Sequence, residues 1–392
     1  MAATDARTRR VWTAVVFLAV AAGGAALQAR GALVPSFQTA FTVSESQLGL
    51  ITPLGTIGFV GPVVIVGMLA GRLDIKRTLV IGLVLTSAGL VLIGLAPSFV
   101  ALLAFVAVQS AALGIVRALD RPILSHLHPE NRGRMFSLET MSWAVGATLG
   151  PFLVTWVLTV GEWRLTYYLL GLPYLVIAVL AWRSDFPDHV TSERSFSRED
   201  FRPLLSRPTI LGMGLALILV GGIESTIFSW FPYYVTQFLP RSAANLALSI
   251  YLAAYVPGRL GFSFLADRAS PPDVVLVAAT ALVALLGVLF GAGGLGRLPF
   301  FAVTFGIGFF VSGFFPLLLT WGVAVAPDYT GPVNAVAMVS TQVGFLIVPA
   351  AVGVLADVYS IGQAMLVLLG LAGCLVLLLG GRRVTGLAGS GA

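Results

Sequence analysis

Three charged side chains interrupt long apolar runs: Arg30, Glu224 and Arg259. A charge inside hydrocarbon costs about 2.5 kcal/mol or more, so such residues are functional candidates by default. A guanidinium presents a planar fork of donors that matches a carboxylate. Arg30 has Gln28 and Gln38 nearby in sequence, and with Arg259 it could clamp a carboxylate. The plainer reading is an Arg30 that snorkels to the surface or satisfies carbonyls, and an Arg259 held in a structural pair. Glu224 lies in Gly221-Gly222-Ile223-Glu224-Ser225-Thr226. It reads either as a proton-binding carboxylate coupled to anion binding at Arg30 or as a structural partner of that arginine. Phe228 and Trp230 follow, as interface anchors or as one wall of a cavity.

A second set of charges lies near the end of the fourth apolar run. Arg117, Asp120 and Arg121 are expected to form a gate or an ion pair with the turn at 71–77, and Glu139 reads the same way.

The elements that hold these residues follow from composition. Hydrophobic residues are 58% of the chain and charged residues 10%, against about 25% charged in a soluble domain. So apolar a surface must face lipid. Twelve runs are long enough to span a bilayer: 11–40, 46–70, 78–96, 99–120, 136–160, 164–183, 209–238, 243–265, 272–294, 298–325, 331–355 and 360–381. Backbone groups in hydrocarbon must be satisfied internally, and the runs are too continuously apolar for barrel strands, so helices are expected. The first run is too long for a signal peptide and another span follows at once.

Orientation follows from the 23 basic residues. With the N-terminus inside, Arg164, Arg241 and Arg297 fall outside, and Arg30, Arg117 and Arg259 fall within spans. The remaining seventeen face the cytoplasm. The positive-inside rule therefore expects both termini in the cytoplasm. The longest polar stretch, 184–208, separates residues 1–183 from 209–392 as a linker between two six-helix halves. Across it, Pro129 and Pro327, Gly133 and Gly331, Gly146 and Gly344, and Pro151 and Pro349 all stand 198 apart, the mark of an internal repeat.

On these residues the chain resembles the major facilitator superfamily. Gly67-Met68-Leu69-Ala70-Gly71-Arg72-Leu73-Asp74-Ile75-Lys76-Arg77 is similar to the family's turn after helix 2, with the acidic position replaced by Gly71 and Asp74 nearby as a substitute. Gly258-Arg259 through Asp267-Arg268 repeats the turn with its Asp-Arg pair intact. The resemblance implies a conformational role for Arg72, Asp74, Asp267 and Arg268. Gly146-Ala147-Thr148-Leu149-Gly150-Pro151 matches a helix 5 motif common in family antiporters, where small residues allow close contact and the proline bends the helix. Arg259 and Arg30 resemble the basic residues that monocarboxylate and oxalate carriers place in helices 8 and 1. Tyr255 stands where an acidic partner of Arg259 is expected. The helix 4 arginine of proton antiporters has no match; Ser110 is near its place.

The resemblance implies an all-α membrane protein of twelve helices in two pseudo-symmetric halves, working by alternating access. No GxxxxGK[ST] loop or Gly-x-Ser-x-Gly elbow occurs. His126, His128 and His189 fall in loops without ligand spacing, so neither cofactor nor metal is expected, nor a nucleic-acid partner. The expected protein is a monomer of the inner membrane. Its partners are a small, anionic substrate, a proton or counter-substrate, and the bilayer. The rival reading is a proton-coupled efflux antiporter for hydrophobic or cationic compounds; a non-transporting sensor on the same scaffold is a third.

Overall fold

The computed structural model describes residues 6–69, 73–186, 206–266, 268–291, 295–326 and 329–384. Among them, twelve helices are long and apolar enough to cross a membrane. In chain order they are α1 Ala6–Ala32, α2 Glu45–Gly67, α3 Ile75–Gly94, α4 Phe99–Leu127, α5 Arg132–Val160, α6 Trp163–Arg183, α7 Pro208–Val235, α8 Arg241–Ala266, α9 Pro271–Gly291, α10 Arg297–Val325, α11 Pro332–Val358 and α12 Ile361–Arg382. Large apolar side chains such as Ile57, Val100, Trp182, Leu298 and Leu377 are exposed on them, as a lipid-facing surface requires.

Local chemistry sets the ends. Asp74 caps α3 by accepting from the Arg77 backbone N–H, and Ser98 caps α4 through Ala101 N–H. Beyond α1 the chain continues at Leu33 into a short helix, Val34–Phe41, closed by Thr42 in the left-handed region at φ 51°. Helix α4 runs on to Leu127, past the sequence boundary at 120. The apolar run ends there, but the helix continues through Pro122. Hydropathy marks the membrane-embedded length, and helical hydrogen bonding can extend beyond it.

The chain divides into two compact units: Met1–Val43 with Pro53–Ser195, and Ser44–Thr52 with Phe196–Ala392. Within the first, α1 packs along α5, and α3 packs against α4 and α6. Within the second, α7 packs along α11, and α9 against α10 and α12. Each pairing recurs six helices later, which is the internal repeat in three dimensions.

Both units bring helix backbones into direct contact. A Cβ on Gly146 would run into the Ala21 carbonyl, and one on Gly24 would meet the Ala147 nitrogen at 2.9 Å. In the second unit, a Cβ on Gly344 would meet Ile218 and Gly222 backbone atoms, and one on Gly221 the Thr341 carbonyl. Small residues permit such approach in membranes, where packing replaces hydrophobic drive between helices.

Residues 44–52, at the start of α2, group with the second unit. There Asp357 of α11 accepts the backbone N–H groups of Glu45 and Ser46 at 2.8 and 3.1 Å, a carboxylate on a helix N-terminus. Tyr233 donates to Glu45 at 2.6 Å, and a Cβ on Gly353 would lie 2.6 Å from the Glu45 carbonyl.

Candidate functional site

In the first unit, Arg30 occupies the last turn of α1 and is 7% exposed. Its Nη2 donates to Gln109 Oε1 of α4 at 2.8 Å. Its Nε has no hydrogen-bond partner among the described residues, nor has the Gln109 Nε2. Gly55 of α2 leaves room beside the guanidinium. A Cβ there would sit 2.8 Å from Arg30 Nη1 and 3.3 Å from Ser110 Oγ. Tyr167 of α6 lies within electrostatic reach of Arg30, fully buried, its hydroxyl without a hydrogen-bond partner among the described residues. Its ring stacks on Phe37, centroids 6.4 Å apart. No carboxylate of this unit pairs with Arg30 among the described residues. Gln28, two positions earlier, is turned about 200° around the helix from Arg30. It is fully buried and neither amide atom has a hydrogen-bond partner among the described residues.

In the second unit the residues singled out by sequence converge. Tyr255 of α8 donates to Glu224 Oε1 of α7 at 2.8 Å and shares a hydrogen bond of 2.9 Å with Tyr251. Arg259 lies over the Tyr255 ring, 5.3 Å from its centroid, and within electrostatic reach of Glu224. An acidic group absent from α8 thus lies within electrostatic reach on α7, and Tyr255 touches both side chains. Phe228 closes the group from one side, its ring 6.2 Å from that of Tyr251 and 6.1 Å from that of Phe345.

The charges at the end of α4 form a network of buried carboxylates and partly exposed arginines. Arg117 Nη1 contacts Asp120 at 2.7 Å and Glu139 of α5 at 2.8 Å, and Arg121 stands 3.6 Å from the second Glu139 oxygen. Asp120 and Glu139 are each 1% exposed. Among the described residues the inter-helix pairing is made to Glu139 of α5, and residues 70–72, part of the turn expected to take part, lie outside the described residues. Asp74 is committed to capping α3 and to an exposed pair with Arg77 at 3.1 Å. Arg72 and Asp267 lie outside the described residues; Arg268 is exposed. Gly146 and Gly150 lie on the face of α5 that meets α1, and Pro151 next to them is buried; a Cβ on Gly150 would lie 2.5 Å from the Ala25 carbonyl. Just beyond α4, His128 hydrogen-bonds Thr13 at 2.8 Å. Burial, with the charge of Arg9 added, holds its imidazole below the ordinary histidine range.

Sequence reasoning passed over Gln109. A neutral amide in an apolar run carries no charge signal, and its pairing with Arg30 joins helices 79 residues apart.

A paired set of six-helix units with sparse buried charge defines a polytopic membrane carrier. The family model of the Major Facilitator Superfamily matches residues 14–240, more than half the chain, and the protein belongs to that superfamily. It is accordingly a multi-pass secondary transporter, and alternating access is the family's mode of transport. It is 23% identical over 316 residues to an uncharacterized MFS-type transporter, YfkL, of Bacillus subtilis (strain 168), covering 78% of this chain and 79% of that one. Its fold is similar to a bacterial homolog of the human lysosomal transporter Spinster, in an inward-facing and unoccupied conformation. That match has a TM-score of 0.82 at 16% identity, over 96% of this chain and 97% of that one. A variant of the nucleoside transporter NupG matches with a TM-score of 0.83 at 14% identity, over 95% and 99%.

Proposed function

We propose that this transporter carries a small organic anion, a carboxylate, bound at Arg30 and driven by a proton or counter-substrate gradient. One observation supports the reading above others: Arg30 is a buried guanidinium whose hydrogen-bonded partner is a neutral amide. A buried charge without a counter-charge is strongly unfavourable, and an anionic ligand relieves it. The donors around it suit carboxylate oxygens. Glu224, linked to Tyr255, serves as the proton-responsive group, and Arg259 of the same unit holds it. Asp74, Arg117, Asp120, Arg121, Arg268 and the Gly146–Pro151 stretch serve the conformational change, with Arg72 and Asp267 in the family turns. The arginine distribution supports an inner-membrane protein with both termini in the cytoplasm.

The test is thermal stability of the purified protein with small carboxylates and lipophilic cations, for wild type and Arg30→Ala. A ligand that binds only the folded state raises the melting temperature, by about 2.7 kcal/mol of stability at a hundred times Kd. Carboxylate stabilisation lost in Arg30→Ala is the expected result. Stabilisation by cations, kept in Arg30→Ala, overturns it in favour of efflux antiport, a reading the Gly146-x-x-x-Gly150-Pro151 stretch of α5 also fits.

A further inference from the structure

We infer that Gln109 sets the charge selectivity of the Arg30 site: its neutral amide holds the guanidinium without cancelling its charge, so the site takes monoanionic carboxylates. The inference rests on the anion reading above and adds the residue that decides it.

The orientation of the amide is fixed by chemistry. Arginine only donates, so the Gln109 oxygen must face Arg30 and the NH2 must face away. The bond from Nη2 to Oε1 is 2.8 Å, and Gln109 is fully buried. Its backbone is fixed too. A Cβ on Gly89 of α3 would lie 2.8 Å from both Cα and Cβ of Gln109, so α3 lies directly against this residue. Arg30 Nε is a buried donor without a hydrogen-bond partner among the described residues, and the Tyr167 hydroxyl is likewise unpartnered among them. Ser110 adds a buried hydroxyl on the same helix as Gln109. One positive charge with several spare donors suits one carboxylate. A dianion would leave its second charge uncompensated in a buried site.

Glutamate is close in size to glutamine and would place a fixed carboxylate where the neutral oxygen now sits. It would neutralise Arg30 permanently and compete with any anionic ligand. Asparagine keeps the amide neutral.

The experiment measures melting temperature and apparent Kd for acetate, pyruvate, lactate and succinate, and for lactamide as a neutral match, in wild type, Arg30→Ala, Gln109→Glu and Gln109→Asn. Wild type is expected to bind a monocarboxylate in preference to lactamide and succinate. Gln109→Asn is expected to keep that preference. Gln109→Glu is expected to melt no lower than wild type without ligand and to weaken carboxylate binding on the order of 100-fold, the scale of a close buried charge pair. Ser110→Asp, which brings a carboxylate toward the Nη1 end of the guanidinium beside Gly55, is expected to act likewise and decides the matter if Gln109→Glu does not fold. Carboxylate binding undiminished in the acidic variant, or equally abolished in Gln109→Asn, overturns the inference while the Arg30→Ala result still supports anion transport. If no carboxylate stabilises wild type, the anion reading itself falls, and this inference with it.

Discussion

The most informative polar cluster of the second unit is built on Glu224. Glu224 accepts from Tyr255, Tyr255 bonds Tyr251, and Arg259 lies against the Tyr255 ring. A carboxylate linked to tyrosine hydroxyls can change protonation without losing its place, because a hydroxyl both donates and accepts. Glu224→Gln is therefore expected to keep ligand binding but lose the response of uptake to an imposed pH gradient, measured in proteoliposomes. Unchanged gradient dependence would remove Glu224 from proton coupling. The cluster of Arg117, Asp120 and Glu139 differs in kind. Each of its two buried carboxylates has an arginine within 2.8 Å, so its charges answer one another inside the network.

At the scale of elements, the helix pairs α1 with α5 and α7 with α11 carry the architecture. They meet backbone to backbone at Gly24 and Gly146 and at Gly221 and Gly344. Overpacking of such a contact costs about 1–3 kcal/mol. Gly146→Ala and Gly344→Ala should each lower the melting temperature and the yield of monodisperse protein. Gly61→Ala, where a Cβ meets nothing within 4 Å, is the matched control and should change neither. Equal behaviour of all three variants would contradict backbone-level packing. The positions of Arg30 and Gln109 depend on the same device. Gly55 and Gly89 bring α2 and α3 against them, so the site is shaped by missing side chains as much as by present ones.

For the molecule as a whole, the prediction concerns orientation. The arginine excess lies on one side in both halves, so the C-terminus should be cytoplasmic, like the N-terminus. A fluorescent protein fused after Ala392 should fluoresce, and a periplasmically active alkaline phosphatase fused there should not be active. A phosphatase fused between Val235 and Arg241 should be active. The opposite pattern would invert the topology and reassign every loop.

The sequence alone determined the twelve helices, the two-fold repeat and the expected orientation, because each depends on quantities summed along the chain. Hydropathy over about 20 residues, the asymmetry of arginine and the spacing of Gly and Pro survive without knowledge of contacts. It also marked Arg30, Glu224 and Arg259, because a charge in an apolar run stands out. What tertiary structure decided was the partners. An acidic neighbour of Arg259 comes from α7, 35 residues upstream at Glu224, and Arg117, paired locally with Asp120, gains a second ion-pair partner from α5 at Glu139. Residues 44–52 fold with the second unit, though they follow the first helix of the chain. Gln109 is neutral and was silent until α4 was laid beside α1. Pairing energies depend on distances of a few ångströms between helices remote in sequence, and no periodicity within a single helix encodes them.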